Sequence, residues 1–249
     1  MRIKPVQFVA RAKDFFLDLV FPMECVGCGI CGTYLCAPCF SRIPVFEAPA
    51  CPACNAPSFE SATCGSCKKI TKLNGVIAAT LYTVPVVRRL VTLLKYRFVK
   101  PLAVPMGQLV LKHLAERNYA LFARRDTVLV PLPLRPHRLR QRGFNQAAEI
   151  AAQLAPMLRM AIDEYALVRI RNTMPQTETD SRAERLQNVK DAFAVTDAAR
   201  VKHKAVIIVD DVATTCATLS ECAKVLKTAG AREVWGLVVA REPYGGVYK

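Results

Sequence analysis

Acidic residues and tryptophan are scarce in this chain: 20 Asp and Glu stand against 35 Lys and Arg, with one Trp in 249 residues. The resulting formal net charge of +15 points to polyanionic partners such as nucleic acid, nucleotides or acidic lipid, or to a basic surface kept for solubility. The shortage of tryptophan leaves few of the flat rings on which single-strand readers stack bases. No helix-turn-helix or basic-helix signature is present, which weakens a reading as a transcriptional regulator. No window of about 18 uncharged apolar residues occurs, which excludes a spanning helix of the usual kind. Arg2, Lys4, Arg11, Lys13, Asp14 and Asp18 interrupt any leader-like apolar run, so no signal peptide is expected. A cytoplasmic location follows as an expectation, and in a reducing compartment paired cysteines imply metal rather than disulfides.

Outside one short stretch cysteine is nearly absent. Nine of eleven lie between Cys25 and Cys67, and only Cys216 and Cys222 fall elsewhere. The cluster marks a separate module, residues 1–72, ahead of a second domain, 73–249. Four Cys-x-x-Cys knuckles follow one another: Cys25 with Cys28, Cys36 with Cys39, Cys51 with Cys54, and Cys64 with Cys67. Each knuckle turns two thiolates toward one tetrahedral ion, and two knuckles close a four-cysteine zinc site with no open position for chemistry. Pairing by proximity gives two structural zincs in a double ribbon, and interleaved pairing remains open. Cys31 is expected to be a spare, partly buried thiol, though it lies near enough to substitute in the first site. In a module this small the ion replaces a hydrophobic core. Ribbons of this kind also touch nucleic acid or protein partners. Upstream, Val6, Val9, Phe16 and Val20 recur at helical spacing against Arg2, Lys13 and Asp14, which predicts a short amphipathic helix over 5–21, stopped by Pro22.

From residue 76 onward, apolar runs of strand length alternate with helical patterns, as in an α/β domain with a mostly parallel sheet and helices on both faces. Strands are expected at 76–82, 127–132, 165–171, 204–210 and 233–240, and helices at 85–96, 102–117, 143–158 and 216–229. In such sheets ligands sit beyond the carboxyl ends of the strands. One of these ends reads Val206-Ile207-Ile208-Val209-Asp210-Asp211, followed by Val212-Ala213-Thr214-Thr215-Cys216-Ala217-Thr218. The carboxylates suit sugar hydroxyls, and the small hydroxyl-rich turn into a helix suits phosphate, which backbone N–H groups at a helix start can cradle. A Thr cap on an ordinary strand-to-helix turn explains Thr214 or Thr215 but not the acid pair.

This segment resembles the phosphoribosyl pyrophosphate signature of type I phosphoribosyltransferases, two acids followed by Thr-Thr-Gly-x-Thr. The resemblance implies that Asp210 and Asp211 hold the ribose 2′ and 3′ hydroxyls and that Ala213, Thr214, Thr215, Cys216, Ala217 and Thr218 hold the 5′-phosphate. Cys216 stands where the family usually has Gly, and its Cβ is expected to crowd the phosphate approach or to demand a negative φ.

A second strand end, Val128 to Pro133, leads into a segment with Arg135, Arg138, Arg140 and Arg142 and no acid before Gly143-Phe144-Asn145-Gln146. Arginine forks bind phosphate oxygens bidentately, and in the ground plan of the resembled fold this is the pyrophosphate position. His137 reads as an incidental loop residue. A third, long polar segment from Arg171 to Lys190 has the length of an active-site lid or of a disordered surface excursion.

Together these pieces resemble the ComF/GntX family of competence-associated phosphoribosyltransferase-like proteins. The likeness is carried by the cysteine knuckles, Leu94-Lys95-Tyr96, Pro133 through Arg142-Gly143-Phe144-Asn145-Gln146, Gln176 with Ser181-Arg182 and Arg185 through Asn188 to Ala192-Phe193, and the Asp210 loop. It implies a protein assisting DNA uptake or the use of external DNA, with phosphoribosyl pyrophosphate and Mg²⁺ as ligands. The candidate catalytic residues are Arg135, Arg138, Arg140, Arg142 and Arg185, with Lys95 as helper. The competing expectation is a non-catalytic adaptor that binds single-stranded DNA and other DNA-uptake proteins.

Overall fold

Five parallel strands make the main sheet of the computed structural model, which describes residues 23–45, 49–117, 119, 126–171 and 189–242. They are β1 (Gly75–Leu81), β2 (Thr127–Pro131), β3 (Ala161–Ile162), β6 (Ala205–Ala213) and β7 (Glu233–Arg241), in the order β1-β7-β6-β2-β3. A separate antiparallel ribbon joins β4 (Leu167–Arg169) to β5 (Phe193–Val195). The strand expected at 165–171 therefore belongs to this ribbon and not to the parallel sheet. The sheet's outer strand is instead β3, too short to leave a pattern. The described helices are α1 (Ala37–Ser41), α2 (Pro85–Tyr96), α3 (Ala103–Arg117), α4 (Pro136–Arg142), α5 (Gln146–Leu158) and α6 (Ala217–Thr228). The amphipathic helix expected over 5–21 lies outside the described residues.

Both sheet faces are covered, which is why the strands read as continuous apolar runs instead of alternating ones. Side chains on a strand alternate between faces. Val206 and Ile208 of β6 share one buried cluster with Val76, Val128, Val130, Val234 and Val238, beneath Leu219, Cys222, Ala223 and Leu226 of α6 and Leu167 and Phe193 of the ribbon. Ile207 and Val209 point to the other face and are fully buried, on the side of α5, which packs on β6 and β2, and of α3, which packs on β1 and β7. Gly236 makes the close approach of α6 possible, since a Cβ there would lie 2.9 Å from the Leu219 side chain.

Contacts divide the chain into two compact units, Met1–Ile43 and Pro44–Lys249, whereas cysteine content divides it near residue 72. The first two knuckles fall in one unit. The last two share a unit with the sheet.

Candidate functional site

The carboxyl ends of β2 and β6 bound a cavity of about 150 Å³, lined in part by Lys95, Arg135, Arg138, Arg142, Arg169, Asp210, Asp211 and Thr218. β6 runs three residues beyond the expected end at Asp210, so the acid pair sits on the strand itself. Strand alternation then sends the two carboxylates to opposite faces. Asp211 shares the parity of Ile207 and Val209, is buried at 1% exposure, and meets Lys95 from the last turn of α2, with Nζ 3.0 Å from Oδ2. Burial works against the Lys95 charge, but Asp211 and Asp210 outweigh it and raise the Lys95 pKa. Asp210 shares the parity of Val206 and Ile208, and its Oδ1 accepts from the Asp211 N–H. Burial and the neighbouring Asp211 charge push its pKa well above the usual carboxylate range, with Lys95 pulling against them. A carboxyl group that resists ionisation gains from any ligand that donates hydrogen bonds or brings a cation.

Across the cavity, the segment expected as a loop is the short helix α4. Pro136 occupies its first turn, where the missing N–H costs nothing, and Gly143 ends it in the left-handed conformation at φ 79°. Asn145 then starts α5: its Oδ1 accepts from Ala147 N–H at 3.0 Å, and its Nδ2 donates to the Leu132 carbonyl at 3.0 Å. That pair of bonds pins the helix start to the end of β2. The Arg142 guanidinium donates to Gln146 Oε1, and burial lowers its pKa. The Gly-Phe-Asn-Gln run is thus a cap, a pin and a clamp for one arginine. Residues 135, 138 and 142 follow the three- and four-residue spacing of one helical face, and these arginines line the cavity. Arg140 falls between them and is exposed, as is His137.

The turn after β6 leads through Thr214 and Thr215 to Cys216, which precedes α6 with φ 57° and ψ 13°. The negative φ expected for a residue with a Cβ is not adopted. Cys216 holds the left-handed geometry that glycine takes freely, at a cost of about 1 kcal/mol. Its side chain packs in the apolar cluster under the sheet, at 6% exposure, which supports the strained backbone. Thr215 Oγ1 accepts from Ala217 N–H at 3.4 Å, Thr218 lines the cavity, and Ala213 and Ala217 are buried.

The cysteine knuckles assemble by proximity. The sulfurs of Cys25, Cys28, Cys36 and Cys39 lie within 4.8 Å of one another, and so do those of Cys51, Cys54, Cys64 and Cys67. Both clusters are wired alike, with the Cys36 N–H donating to Cys25 Sγ and the Cys64 N–H to Cys51 Sγ, each at 3.4 Å. Burial pushes the Cys25 and Cys51 thiols up, but backbone donors outweigh it and bring both to about 6. Cys39 and Cys67 are pushed up to about 12 by bonds to neighbouring cysteines, chiefly Cys36 and Cys64. Four thiolates this close repel, and a divalent cation is what lets all four ionise together; the all-sulfur donor set suits zinc. Cys31 stands apart from both clusters and is exposed rather than partly buried.

Residues 16–68 match the double zinc ribbon domain family, and residues 111–246 match the phosphoribosyl transferase domain family. The DNA utilization protein YhgH of Salmonella typhi is 34% identical over 197 residues, covering 75% of this chain and 82% of that protein. The chain belongs to the ComF family. Competence protein F of Haemophilus influenzae is 35% identical over 115 residues, 45% of this ComF-family chain and 50% of its own length. Among solved structures, a purine phosphoribosyltransferase from Pyrococcus horikoshii is similar at 20% identity over 57% of this chain and 77% of that one, with a TM-score of 0.33.

The site of this ComF-family chain contains one arginine that sequence reasoning missed. Arg169 of β4 enters the cavity from the ribbon, its guanidinium 5.0 Å from the Phe193 ring centroid of β5. Burial, then the Arg135 and Arg138 charges, lower its pKa to about 10. No local pattern marks it, because the strand that aims it pairs with residues more than twenty positions away. Arg185, and the polar segment 172–188 as a whole, lie outside the described residues. Among the described residues no helix is long and apolar enough to cross a membrane.

Proposed function

We propose that this chain binds phosphoribosyl pyrophosphate with Mg²⁺ in the cavity between β2 and β6, in the service of DNA uptake or utilisation. The observation that carries the reading is the division of charge. Two carboxylates on β6 and four arginines supplied by α4, its N-terminal flank and the ribbon line one cavity, with the turn from Ala213 to Thr218 beside them. Asp210 and Asp211 accept from the ribose hydroxyls, and the backbone from Ala213 to Thr218 holds the 5′-phosphate. The arginine forks take the diphosphate. Bound Mg²⁺ would rest chiefly on the ligand's oxygens, since the site offers few protein ligands, and would supply charge that screens the diphosphate.

The chemistry this arrangement favours is departure of pyrophosphate from C1 of the ribose. The C1–O bond breaks, its electron pair leaves with the diphosphate, and an acceptor atom supplies the new bond to C1. Arg135, Arg138, Arg142 and Arg169 stabilise the charge that develops on the leaving group. The role in DNA use comes from the names of the relatives, and the cytoplasm is the compartment in which eleven thiols stay reduced.

Calorimetry with phosphoribosyl pyrophosphate and Mg²⁺ tests the reading. The wild-type chain is expected to bind, and the double variant Asp210→Asn/Asp211→Asn to lose measurable affinity. Equal affinity in both removes the acid pair from the site. Release of pyrophosphate on adding a nucleobase or an oligonucleotide then separates an enzyme from an adaptor for which the sugar phosphate is a regulatory ligand.

A further inference from the structure

The second cysteine cluster is tied to both ends of the turn assigned above to the 5′-phosphate, by two separate chains of hydrogen bonds. The first starts at Cys51, fully buried, whose carbonyl accepts from Arg241 Nη2 at 3.4 Å. Arg241 is the last residue of β7, only 2% exposed. It pairs in register with Ala213, where the turn begins. The next residue, Glu242, donates its N–H to the Ala213 carbonyl at 2.9 Å. The second chain starts at Cys67, whose carbonyl accepts from the Thr71 N–H at 3.0 Å. The Thr71 hydroxyl donates to Ser220 Oγ at 3.1 Å, and the Ser220 N–H closes the first turn of α6 on the Cys216 carbonyl at 2.9 Å. Cys216 is the strained residue at which the turn ends.

A buried guanidinium at a strand end is costly unless its bonds are held in place, and a left-handed cysteine persists only where its surroundings over-determine it. Both conditions depend on where the backbone of residues 51–71 sits. Without an ion to ligate, nothing holds the two knuckles to one common centre. The two buried members, Cys51 and Cys67, are the ones wired to the turn, while Cys54 is exposed and Cys64 only partly buried. The other cluster lies in the Met1–Ile43 unit, so it serves as an internal control.

We infer that zinc in the Cys51-Cys54-Cys64-Cys67 cluster is a positioning element of the phosphate turn, acting through Arg241 and Thr71, whereas the first cluster has no such part. The inference rests on the assignment of the turn to phosphate only for its effect on affinity; the bracing itself is measurable without ligand.

The test uses the full chain with its zinc content measured, comparing Cys54→Ser/Cys64→Ser with Cys28→Ser/Cys39→Ser. Loss of one zinc per chain from the second cluster is expected to speed amide exchange in peptides covering 213–218 by tenfold or more. It is also expected to weaken binding of phosphoribosyl pyrophosphate with Mg²⁺ at least tenfold. Loss of the first zinc changes neither. Unchanged exchange at 213–218 after the second zinc is gone overturns the inference. Where the double variant does not fold, Thr71→Val and Arg241→Met cut the two chains with zinc retained. Faster exchange in either, reversed in Arg241→Lys, supports the brace, and wild-type exchange in both refutes it. Faster exchange in the variants, together with a wild-type chain that binds no phosphoribosyl pyrophosphate, refutes the ligand and leaves the brace standing.

Discussion

Neighbouring residues on one strand carry opposed duties here. Asp211 is neutralised by Lys95 in a buried pair, with only the lysine side chain open to solvent, at 24%. Lys95→Met strands a buried carboxylate, and the expected cost is about 3 kcal/mol, the low end for breaking a buried pair because of that exposure. Urea unfolding measures it, and Lys95→Met/Asp211→Asn recovers most of the loss. Asp210 has the reverse character. Its pKa is raised by burial and by Asp211, so the folded chain prefers it protonated. At a pH below the unfolded carboxylate pKa the folded and unfolded states bind this proton equally. As pH rises toward the raised folded value, the unfolded state releases the proton first and stability is lost. Asp210→Asn therefore melts higher than wild type, by a margin that widens from pH 5 to pH 7.5, while its affinity for phosphoribosyl pyrophosphate falls. A margin that is equal at both pH values, or reversed, contradicts the assignment. Residues kept at a cost to stability are those expected to meet a ligand.

At the scale of elements, α4 shows how a seven-residue helix sorts arginines by face. Arg138 and Arg142 reach the cavity and Arg140 does not. Arg138→Ala is expected to weaken phosphoribosyl pyrophosphate binding by about 10- to 100-fold, the range for losing a hydrogen bond to a charged group. Arg140→Ala leaves it within twofold by the same calorimetry. Gly143→Ala meets no steric obstacle but keeps φ 79°, so its cost is conformational, about 1 kcal/mol. Asn145→Ala costs about 1 kcal/mol more through loss of the cap. The central strands were legible because β2, β6 and β7 are unbroken apolar runs buried on both faces, and the acid pair was legible because two carboxylates rarely end such a run. The helix α4 was not, since it has no apolar stripe and its Pro136 reads as a turn until it is seen at a helix start. Nor was the role of Arg169, since the strand expected over 165–171 joins the ribbon with Phe193–Val195 and not the parallel sheet, and only that pairing brings Arg169 to the cavity. Lys95 was recognised by its place in a motif, but its partner was not, because strand parity decides which of the two aspartates faces α2.

For the whole molecule, the cavity accounts for little of the charge. Lys95 and four arginines against two aspartates line it, a small part of a formal surplus of +15. Cations left over on the surface attract any polyanion. If that surplus holds single-stranded DNA, the binding is mainly counterion release. The logarithm of affinity then falls with the logarithm of salt at about −0.7 per neutralised phosphate. Few aromatics are available to add a salt-independent stacking part. An oligonucleotide titrated from 50 mM to 500 mM salt is therefore expected to show a straight, steep decline with little residual affinity. Arg138→Ala and Asp210→Asn, which act inside the cavity, leave the slope unchanged, and saturating phosphoribosyl pyrophosphate with Mg²⁺ does not displace the strand. Displacement instead means that the nucleic acid enters the arginine cavity itself and is the acceptor or its competitor. Absence of binding at 50 mM salt assigns the surplus charge to solubility alone.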